Sequence, residues 1–480
     1  MFLDERHALV RIREEVSTNL EISEICDRVS KSSDGGQALL FENVINHNNG
    51  QKSTFSVLIN AFGSQKRMAW ALGVESVEEV ASELETLVKT QPPQSLMDKI
   101  RMLPTLARVA SFAPKKVSSG ACQEVVLTGD DVDLTKIPIL KCWPGDANSF
   151  ITFPCVITRD PDNGHRNVGM YRMQLVDKTT TGMHWQSHKV GNRHFQRYKE
   201  LKQKIPIAVY LGGDPALIFA GASPLPDGID EILFAGFLRK KAVPMVKCKT
   251  VDLEVPADAD FILEGYVDPS EPFFSEGPFG DHTGYYSMPD LFPKFHCTSI
   301  THRKNAVYPT TIVGIPPMED AYMGKAIERL FLPLIKMVYP EVVDMNLPIE
   351  GAFHNICIIS IKKQYPAHAK KIMNSLWGTG QLIFSKCILV VDDDVNIQNI
   401  QEAVWRICAN TDPGRDIVLM QGPTDDLDHA PNIARVATKM GIDATRKWKE
   451  EGYTREWPEI IKMDEGTKKK VDDLWKKLGL

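Results

Sequence analysis

Ser275-Glu276-Gly277-Pro278-Phe279-Gly280-Asp281-His282-Thr283-Gly284-Tyr285-Tyr286 sets two carboxylates, Glu276 and Asp281, on either side of a Gly-Pro-Phe-Gly segment. Proline fixes φ and glycine admits positive φ, so this segment turns instead of continuing as helix or strand. A turn there can aim both acids at one spot. Two carboxylates held close cannot both ionise cheaply, so one pKa is expected to rise and the pair to divide into a base and a proton donor. A solvated acidic turn is the other reading of the same residues, since Gly- and Pro-rich loops are common on protein surfaces.

Around this stretch, from about 118 to 315, short β-branched runs are punctuated by Gly, Pro and Asp. Examples are Glu124-Val125-Val126-Leu127, Phe153-Pro154-Cys155-Val156-Ile157-Thr158, Ile207-Ala208-Val209-Tyr210-Leu211 and Asp260-Phe261-Ile262-Leu263-Glu264. Many short strands separated by turn signals predict a β-barrel or sandwich, whose loops are a natural place for a ligand. Upstream, helical spacing in Leu20–Val29, strand-like runs at 38–41 and 55–59, and a capped helix opening at Ser76 predict a small α+β domain. Pro92-Pro93 and an amphipathic segment near Ile100 to Leu106 lead to a boundary at Ala113-Pro114-Lys115-Lys116.

Downstream of Pro316-Pro317, a helix is expected over Glu319–Val338, kinked at Pro333, with Met323, Ile327, Leu330, Phe331 and Leu334 along one face. The run Ile356–Ile361, a helix over 366–377 and the run Cys387–Asp394 give a strand-helix-strand order and an α/β domain. A last helix, Lys468 to Leu478, carries Val471, Leu474, Trp475 and Leu478 on one face, a stripe suited to packing on another subunit. The expected architecture is therefore α+β and multidomain: 1–115, a small N-terminal α/β-type domain; 116–317, the β-rich centre; 318–480, a linker helix, a C-terminal α/β oligomerisation domain and a tail helix.

The chain has 480 residues, 25% of them charged, and a formal charge of -6, which disfavours a nucleic-acid partner. No basic, apolar leader opens it and no apolar run is long enough to span a bilayer, so a cytoplasmic protein is expected. Nine cysteines without a CxxC pair indicate reduced, structural thiols.

The richest polar cluster is Asn167-Val168-Gly169-Met170-Tyr171-Arg172 with Gly182-Met183-His184-Trp185-Gln186-Ser187-His188-Lys189. An asparagine, a histidine and an acid, here Asn167, His188 and Glu231, form a mixed O/N set suited to manganese or magnesium. The same three also read as a turn residue, a half-buried histidine and a solvated helix end. Arg172, among apolar neighbours, is either a structural ion-pair member or a clamp for a substrate carboxylate. No P-loop or GxGxxG stands between a strand and a helix. Asp392-Asp393-Asp394 reads as a strand-ending turn, and Asp425 and His429 as loop-fixing residues.

These passages, in order, resemble the UbiD family of prenylated-flavin-dependent decarboxylases, most closely the 3-polyprenyl-4-hydroxybenzoate branch. The resemblance is carried by Arg159-Asp160-Pro161, Asn167–Arg172, Met183–Trp185 with His188, Glu231 with Phe234-Ala235-Gly236, Glu276–Tyr286, Lys363-Gln364-Tyr365-Pro366, Leu376-Trp377-Gly378 and Met440–Lys447. It implies a split, flavin-reductase-like β-barrel holding prenylated FMN, with a divalent metal, manganese or magnesium, at its phosphate and a potassium ion nearby. Asn167, His188 and Glu231 would be the metal ligands. Met170, Tyr171, Arg172, His184, Trp185, Gln186, Lys189 and Val190 would line the cofactor, and the carbonyls of Ala222, Ser223 and Leu225 would meet potassium. Arg172, Glu276 and Asp281 would be catalytic, with Asp281 where some relatives have glutamate. The implied partners are an aromatic carboxylic acid, a flavin prenyltransferase that supplies the cofactor, further copies of the chain as a dimer or hexamer, and a membrane surface for a polyprenyl substrate of quinone biosynthesis.

Overall fold

A computed structural model of the chain describes residues 2–89 and 107–479. Pro92-Pro93 and the segment 100–106 lie outside the described residues. The N-terminal part is built on a four-stranded sheet in the order Leu9–Ile12, Ala38–Phe41, Ser56–Ile59, Val307–Pro309. Its last strand comes from the far end of the central region and runs parallel to Ser56–Ile59, so the two parts share one sheet. The helix Glu21–Ser30 buries Ile22 and Cys26 in the adjoining core. The helix Val77–Lys89 opens as its sequence predicts: Ser76 Oγ accepts from the Glu78 N–H (3.3 Å), and Glu79 Oε1 accepts from the Ser76 N–H (3.0 Å).

The central part is an antiparallel sheet of seven strands. Its path runs Arg166–Met170, Cys155–Arg159, Ile205–Leu211, Phe261–Val267, Lys294–His302, Thr180–Gly182, with Val125–Thr128 also paired to Lys294–His302. The β-branched runs at 155–158, 207–211 and 261–263 are buried on both faces because helices and the N-terminal part cover the outer side. Between Glu264 and Gly265 the register slips. A Cβ at Gly265 would lie 1.9 Å from the His296 carbonyl oxygen, so this bulge requires glycine. The two edge strands meet without a ladder: the His184 N–H donates to the Arg172 carbonyl (3.3 Å), and Leu175 bridges Thr181. The sheet thus closes into a split barrel, with Arg172 and His184 meeting across the split.

The long helix Glu319–Val338 includes Pro333 and buries Met323 and Leu330. It leads to a five-stranded sheet in the order Val342–Asn346, Ile356–Ile361, Cys387–Asp392, Val436–Asp443, Ile417–Pro423. The central pairings are parallel and the edge ones antiparallel. Alternate side chains feed two cores. Ile359, Ile361, Ile388 and Val390 pack on the helix His368–Leu376, and Ile358 and Val391 pack toward the helix Ile400–Asn410. The three aspartates after Cys387–Asp392 end the strand: Asp392 Oδ2 accepts from the Arg446 N–H (2.8 Å), and Asp394 pairs with Arg406 (2.9 Å). Among the described residues no helix is long and apolar enough to cross a membrane. Seven of the nine cysteines are buried and all nine are free thiols.

Candidate active site

Arg172 follows the edge strand Arg166–Met170, and Glu276 ends the strand Phe274–Glu276, which pairs with Asp290–Phe292. After the turn at Gly277-Pro278, Phe279–Gly280 pairs with Tyr286–Ser287 and closes a hairpin over 281–285. The Asp281 N–H donates to the Tyr285 carbonyl (3.0 Å), which fixes the loop. Asp146 pins the hairpin from below. One of its oxygens accepts from the Gly280 N–H (2.7 Å), the other from the N–H groups of Cys142 (3.1 Å) and Trp143 (2.8 Å). A Cβ at Gly280 would lie 2.2 Å from Trp143 Cδ1, so only glycine lets the hairpin approach this closely.

The turn aims both acids at Arg172. Its guanidinium donates to Glu276 Oε1 (2.8 Å), to Asp281 Oδ2 and to Ser287 Oγ (3.3 Å), and it lies 4.6 Å above the Phe279 ring. Glu276 is 1% exposed and Asp281 7%. His184 Nδ1 is 2.8 Å from Glu276 Oε1, while Glu276 Oε2 is buried without a hydrogen-bond partner. Burial pushes the Glu276 carboxyl up, but Arg172 and His184 outweigh it and hold its pKa below the usual range. Burial likewise opposes the Asp281 charge, and His282 with Arg172 holds this carboxyl well below its ordinary value. The expected division into a raised and a lowered acid is therefore corrected. A guanidinium between the two carboxylates removes the repulsion that would have separated them, and both are ionised.

A second cluster lies on the same strand. Asn167 is buried, with Nδ2 3.5 Å from Thr158 Oγ1. Glu231 opens the helix Glu231–Leu238, where Asp230 caps the Ile232 N–H (2.8 Å), and its Oε2 accepts from the Val168 N–H (3.0 Å). Burial pushes the Glu231 carboxyl up to about 7. Tyr171 joins this cluster to the helix Val190–Leu201: its hydroxyl bonds Asn167 and accepts from the Gly191 N–H (3.3 Å). His188 is the third residue named from the sequence. It is exposed, its ring 4.9 Å from that of Phe384, and among the described residues no hydrogen bond joins it to Asn167 or Glu231. No group of three or more His, Cys, Asp or Glu among the described residues is arranged to hold a metal ion.

The remaining residues named from the sequence lie at the end of the same strand, on the segment before the helix Val190–Leu201, or at the start of that helix. Met170 ends its strand, Trp185 is buried, Gln186 accepts from the Lys189 N–H (3.1 Å), Lys189 is the N-cap of the helix and Val190 its first residue. Trp185 Nε1, like Glu276 Oε2, is buried and unpartnered. A Cβ at Gly191 would lie 2.6 Å from Trp185 Nε1, and one at Gly182 would lie 2.5 Å from the Phe274 ring. The two glycines let the Trp185 and Phe274 rings pack against the backbone, and the two orphaned polar atoms are left for a bound polar group to satisfy. Ala222 ends the helix Pro215–Ala222, where the last carbonyls of a helix are unpaired by its own N–H groups. A cavity of about 450 Å³ lined by Phe62, Trp70, Phe153, Arg239 and Asp260 is separate and shares no residue with the split. Sequence reasoning missed Asp146, Ser287, His354 and the link from His184 to Glu276.

Comparisons with known proteins agree along the whole chain. Profiles described as the 3-octaprenyl-4-hydroxybenzoate carboxy-lyase N-terminal, Rift-related and C-terminal domains match residues 1–84, 115–316 and 321–444. An uncharacterized protein of Archaeoglobus fulgidus is 51% identical over 478 residues, 99% of this chain and 96% of the relative. Vanillic acid decarboxylase of Sedimentibacter hydroxybenzoicus in its closed form is similar at a TM-score of 0.84 and 26% identity, covering 99% of this chain and 97% of that one. The UbiD-class enzyme HmfF of Pelotomaculum thermopropionicum, in complex with FMN, is similar at 0.81 and 29% identity, covering 98% of each chain. An evolved dimeric form of HmfF in complex with prFMN is similar at 0.78 and 28%, covering 98% of this chain and 97% of that one. The three profiles, matched in order on one α+β chain, identify it as a member of the UbiD family of carboxy-lyases.

Proposed function

We propose that the protein removes CO₂ from a 3-polyprenyl-4-hydroxybenzoate to leave a 2-polyprenylphenol, as quinone biosynthesis requires, using prenylated FMN and a divalent metal. The observation that carries this reading is the Arg172 guanidinium shared by two buried carboxylates, beside a Glu276 oxygen that no group among the described residues satisfies. Family membership supplies the reaction class. The prFMN complex of HmfF and the vanillic acid decarboxylase support the cofactor and an aromatic acid substrate.

Asn167 and Glu231, with His188, would hold manganese or magnesium, since a buried carboxylate with no cationic side chain hydrogen-bonded to it and an amide oxygen suit a hard cation. The Tyr171 hydroxyl ties this pair to the N-terminus of Val190–Leu201, whose dipole favours a phosphate. Met170, Tyr171, Arg172, His184, Trp185, Gln186, Lys189 and Val190 would line the flavin, and carbonyls of Ala222, Ser223 and Leu225 would offer a potassium site. When bound, the prenylated flavin supplies an electron sink for the pair left on carbon as CO₂ departs. Arg172 binds and orients the substrate carboxylate, and the Phe279 ring beneath it keeps the guanidinium plane fixed. Glu276, bonded to both Arg172 and His184, holds that cation in register. Asp281 gives the proton to the carbon that lost CO₂.

The apolar tail would need an apolar surface next to the site. Beside the acid hairpin, Tyr285 (60%), Met288 (82%), Leu291 (59%) and Ile315 (64%) are exposed, a strip suited to a polyprenyl chain and to a membrane surface that delivers it. The reading includes a cytoplasmic protein, a flavin prenyltransferase as cofactor supplier, and a homo-oligomer, dimer or hexamer. The last of these is supported by the helix Glu465–Leu478, on which Leu474 (48%), Trp475 (51%) and Leu478 (61%) are uncovered.

A second reading, a UbiD-type decarboxylase or carboxylase of another aromatic or heteroaromatic acid, is favoured by the likeness to vanillic acid decarboxylase. One experiment separates them. Protein made alongside a flavin prenyltransferase is denatured, the released cofactor is weighed, and CO₂ release is measured on prenylated and unprenylated 4-hydroxybenzoates and on vanillate. The first reading expects prenylated FMN, turnover of the prenylated acid, and a raised KM for that acid alone in Leu291→Ser. Turnover confined to tail-less acids supports the second reading, and no turnover by protein loaded with prenylated FMN contradicts both.

A further inference from the structure

A carboxylate held ionised has no proton to give. Asp281 is such a group, with Arg172 on one oxygen and His282 on the other, and each CO₂ released as the reading above describes consumes one proton. The surroundings of His282 point to the source. Its ring turns back on the preceding residue: Nδ1 is 2.9 Å from Asp281 Oδ1, and its main-chain N–H donates to the same oxygen at 2.8 Å. Its Nε2 lies 2.7 Å from Nε2 of His354, seventy-two residues away on the C-terminal side of the split. Two ring nitrogens at that distance share one proton, so one donates and the other offers a lone pair.

The chain is contorted to bring His354 there. Ala352 and Phe353, which precede it, both have φ of 48°, a left-handed conformation that residues with a Cβ rarely adopt. Phe353 lies over His282 with ring centroids 5.4 Å apart and planes at 30°. It also packs where a Cβ at Gly324 would come within 2.9 Å of its ring. Strain held in place by packing, at a contact between two ionisable rings, marks a position kept for a use.

We propose that His282 and His354 are the proton supply of the active site: the His282 imidazolium loads Asp281, and His354 holds that imidazolium in register across the seam between the central and C-terminal parts. This rests on Asp281 as the proton donor. The balance is as follows. The C–C bond to the carboxylate breaks, CO₂ leaves, and the electron pair remaining on carbon takes the proton of Asp281 to form a C–H bond. To load Asp281, the N–H bond at Nδ1 of His282 breaks and an O–H bond forms at Oδ1. The ring left behind is neutral, keeps its Nε2–H on the His354 lone pair, and regains a proton at Nδ1 from water after product leaves. His354 thus decides which nitrogen of His282 loses its proton, and acts as a positioning residue.

The surrounding charges agree with these assignments. Burial alone would lower His282, but Asp281 next to it, with Asp320 and Asp425 also facing it, raises it above the ordinary imidazole range. His354 is pushed down to about 4 by burial and by the His282 cation, with Asp425, Asp428 and Lys386 as its other charged neighbours, which leaves its Nε2 free to accept.

The test uses the reconstituted holoenzyme and four proteins: wild type, Asp281→Asn, His354→Leu and His354→Gln. His354→Leu is expected to lower kcat about tenfold or more, with KM and bound cofactor near wild type. It should also move the alkaline limb of the kcat–pH profile to lower pH, because His282 gives up its proton more readily without an acceptor at Nε2. His354→Gln, which returns an acceptor oxygen at similar reach, should recover much of the rate and return the limb. Wild-type kcat and an unmoved limb in His354→Leu overturn the proposal, as does a His354→Gln protein that binds cofactor but is no better than His354→Leu. Should His354→Leu not fold, His354→Gln decides alone: the proposal requires a limb within half a unit of wild type and loses to a larger shift. Turnover retained by Asp281→Asn would instead remove the donor reading itself, and that outcome is distinct from each of these.

Discussion

Arg172 is the cation on which two otherwise costly buried carboxylates depend. Replacing it by methionine leaves Glu276 and Asp281 facing each other in a desolvated site, and removal of one partner from such a group costs ~3–5 kcal/mol. The sign with pH follows from the lowered values of the two acids. Their contribution to stability is present above the ordinary carboxylate range and is lost as pH falls through the folded-state values. In Arg172→Met both carboxyls lose their shared cation and keep only His282 (Asp281) and His184 (Glu276) against burial, so the variant is less stable than wild type above the ordinary carboxylate range and the difference narrows as pH falls through it. Urea midpoints across that range check this, and a variant as stable as wild type at pH 8 would contradict it. Glu231 gives a second test, resting on its proposed role as a metal ligand. Its carboxyl is raised to about 7 by burial, so the metal-free protein loses stability as pH rises from the ordinary carboxylate value to that point. Manganese should raise the melting temperature at pH 8 and EDTA reverse the gain, and Glu231→Gln should melt higher than wild type in EDTA yet gain nothing from manganese. At this scale the acids of the turn were legible, because Gly and Pro announce where a chain bends. Their partners were not: His184 lies ninety-two residues from Glu276 and His354 seventy-two from His282, and no local spacing encodes either contact.

The acid hairpin works as an element because nothing larger than hydrogen stands at residue 280. A Gly280→Ala methyl would meet Trp143 at 2.2 Å, and overpacking of this kind costs ~1–3 kcal/mol. It should also lift Asp281 away from Arg172, so the expected outcome is a melting temperature lowered by several degrees together with a kcat reduced more than KM is raised. An unchanged kcat at a lowered melting temperature would separate the hairpin's fold from its role. The long strands of the barrel were legible from their β-branched runs, and the helix Glu319–Val338 from its 3.6-residue period. Two-residue strands such as Phe279–Gly280 and Tyr286–Ser287 were not. They exist because Asp146 and Trp143, more than a hundred residues upstream, bind one side of the turn.

Across the whole molecule the parts are joined by sharing. The strand Val307–Pro309 completes the N-terminal sheet, and Arg329 of the long helix reaches back to Glu78 at 3.0 Å. The split of the barrel faces the C-terminal sheet, so His282 and His354 meet only when these two parts are together. Composition and pattern predicted a β-rich centre between two mixed α/β parts, but the pairing of residues 307–309 with 56–58 is a long-range match that pattern alone does not carry. The tail helix belongs to this scale. Trp475→Glu, a charge on the uncovered stripe, should shift the oligomer toward a smaller species in light scattering while the far-ultraviolet circular dichroism stays unchanged, and an unaltered mass would place the subunit contact elsewhere. The account as a whole rests on Asp281 delivering a proton beside a bound flavin. The direct measurement is CO₂ release by Asp281→Asn loaded with prenylated FMN: turnover lowered at least ~100-fold with the flavin absorbance of wild type is predicted, and wild-type turnover would contradict it.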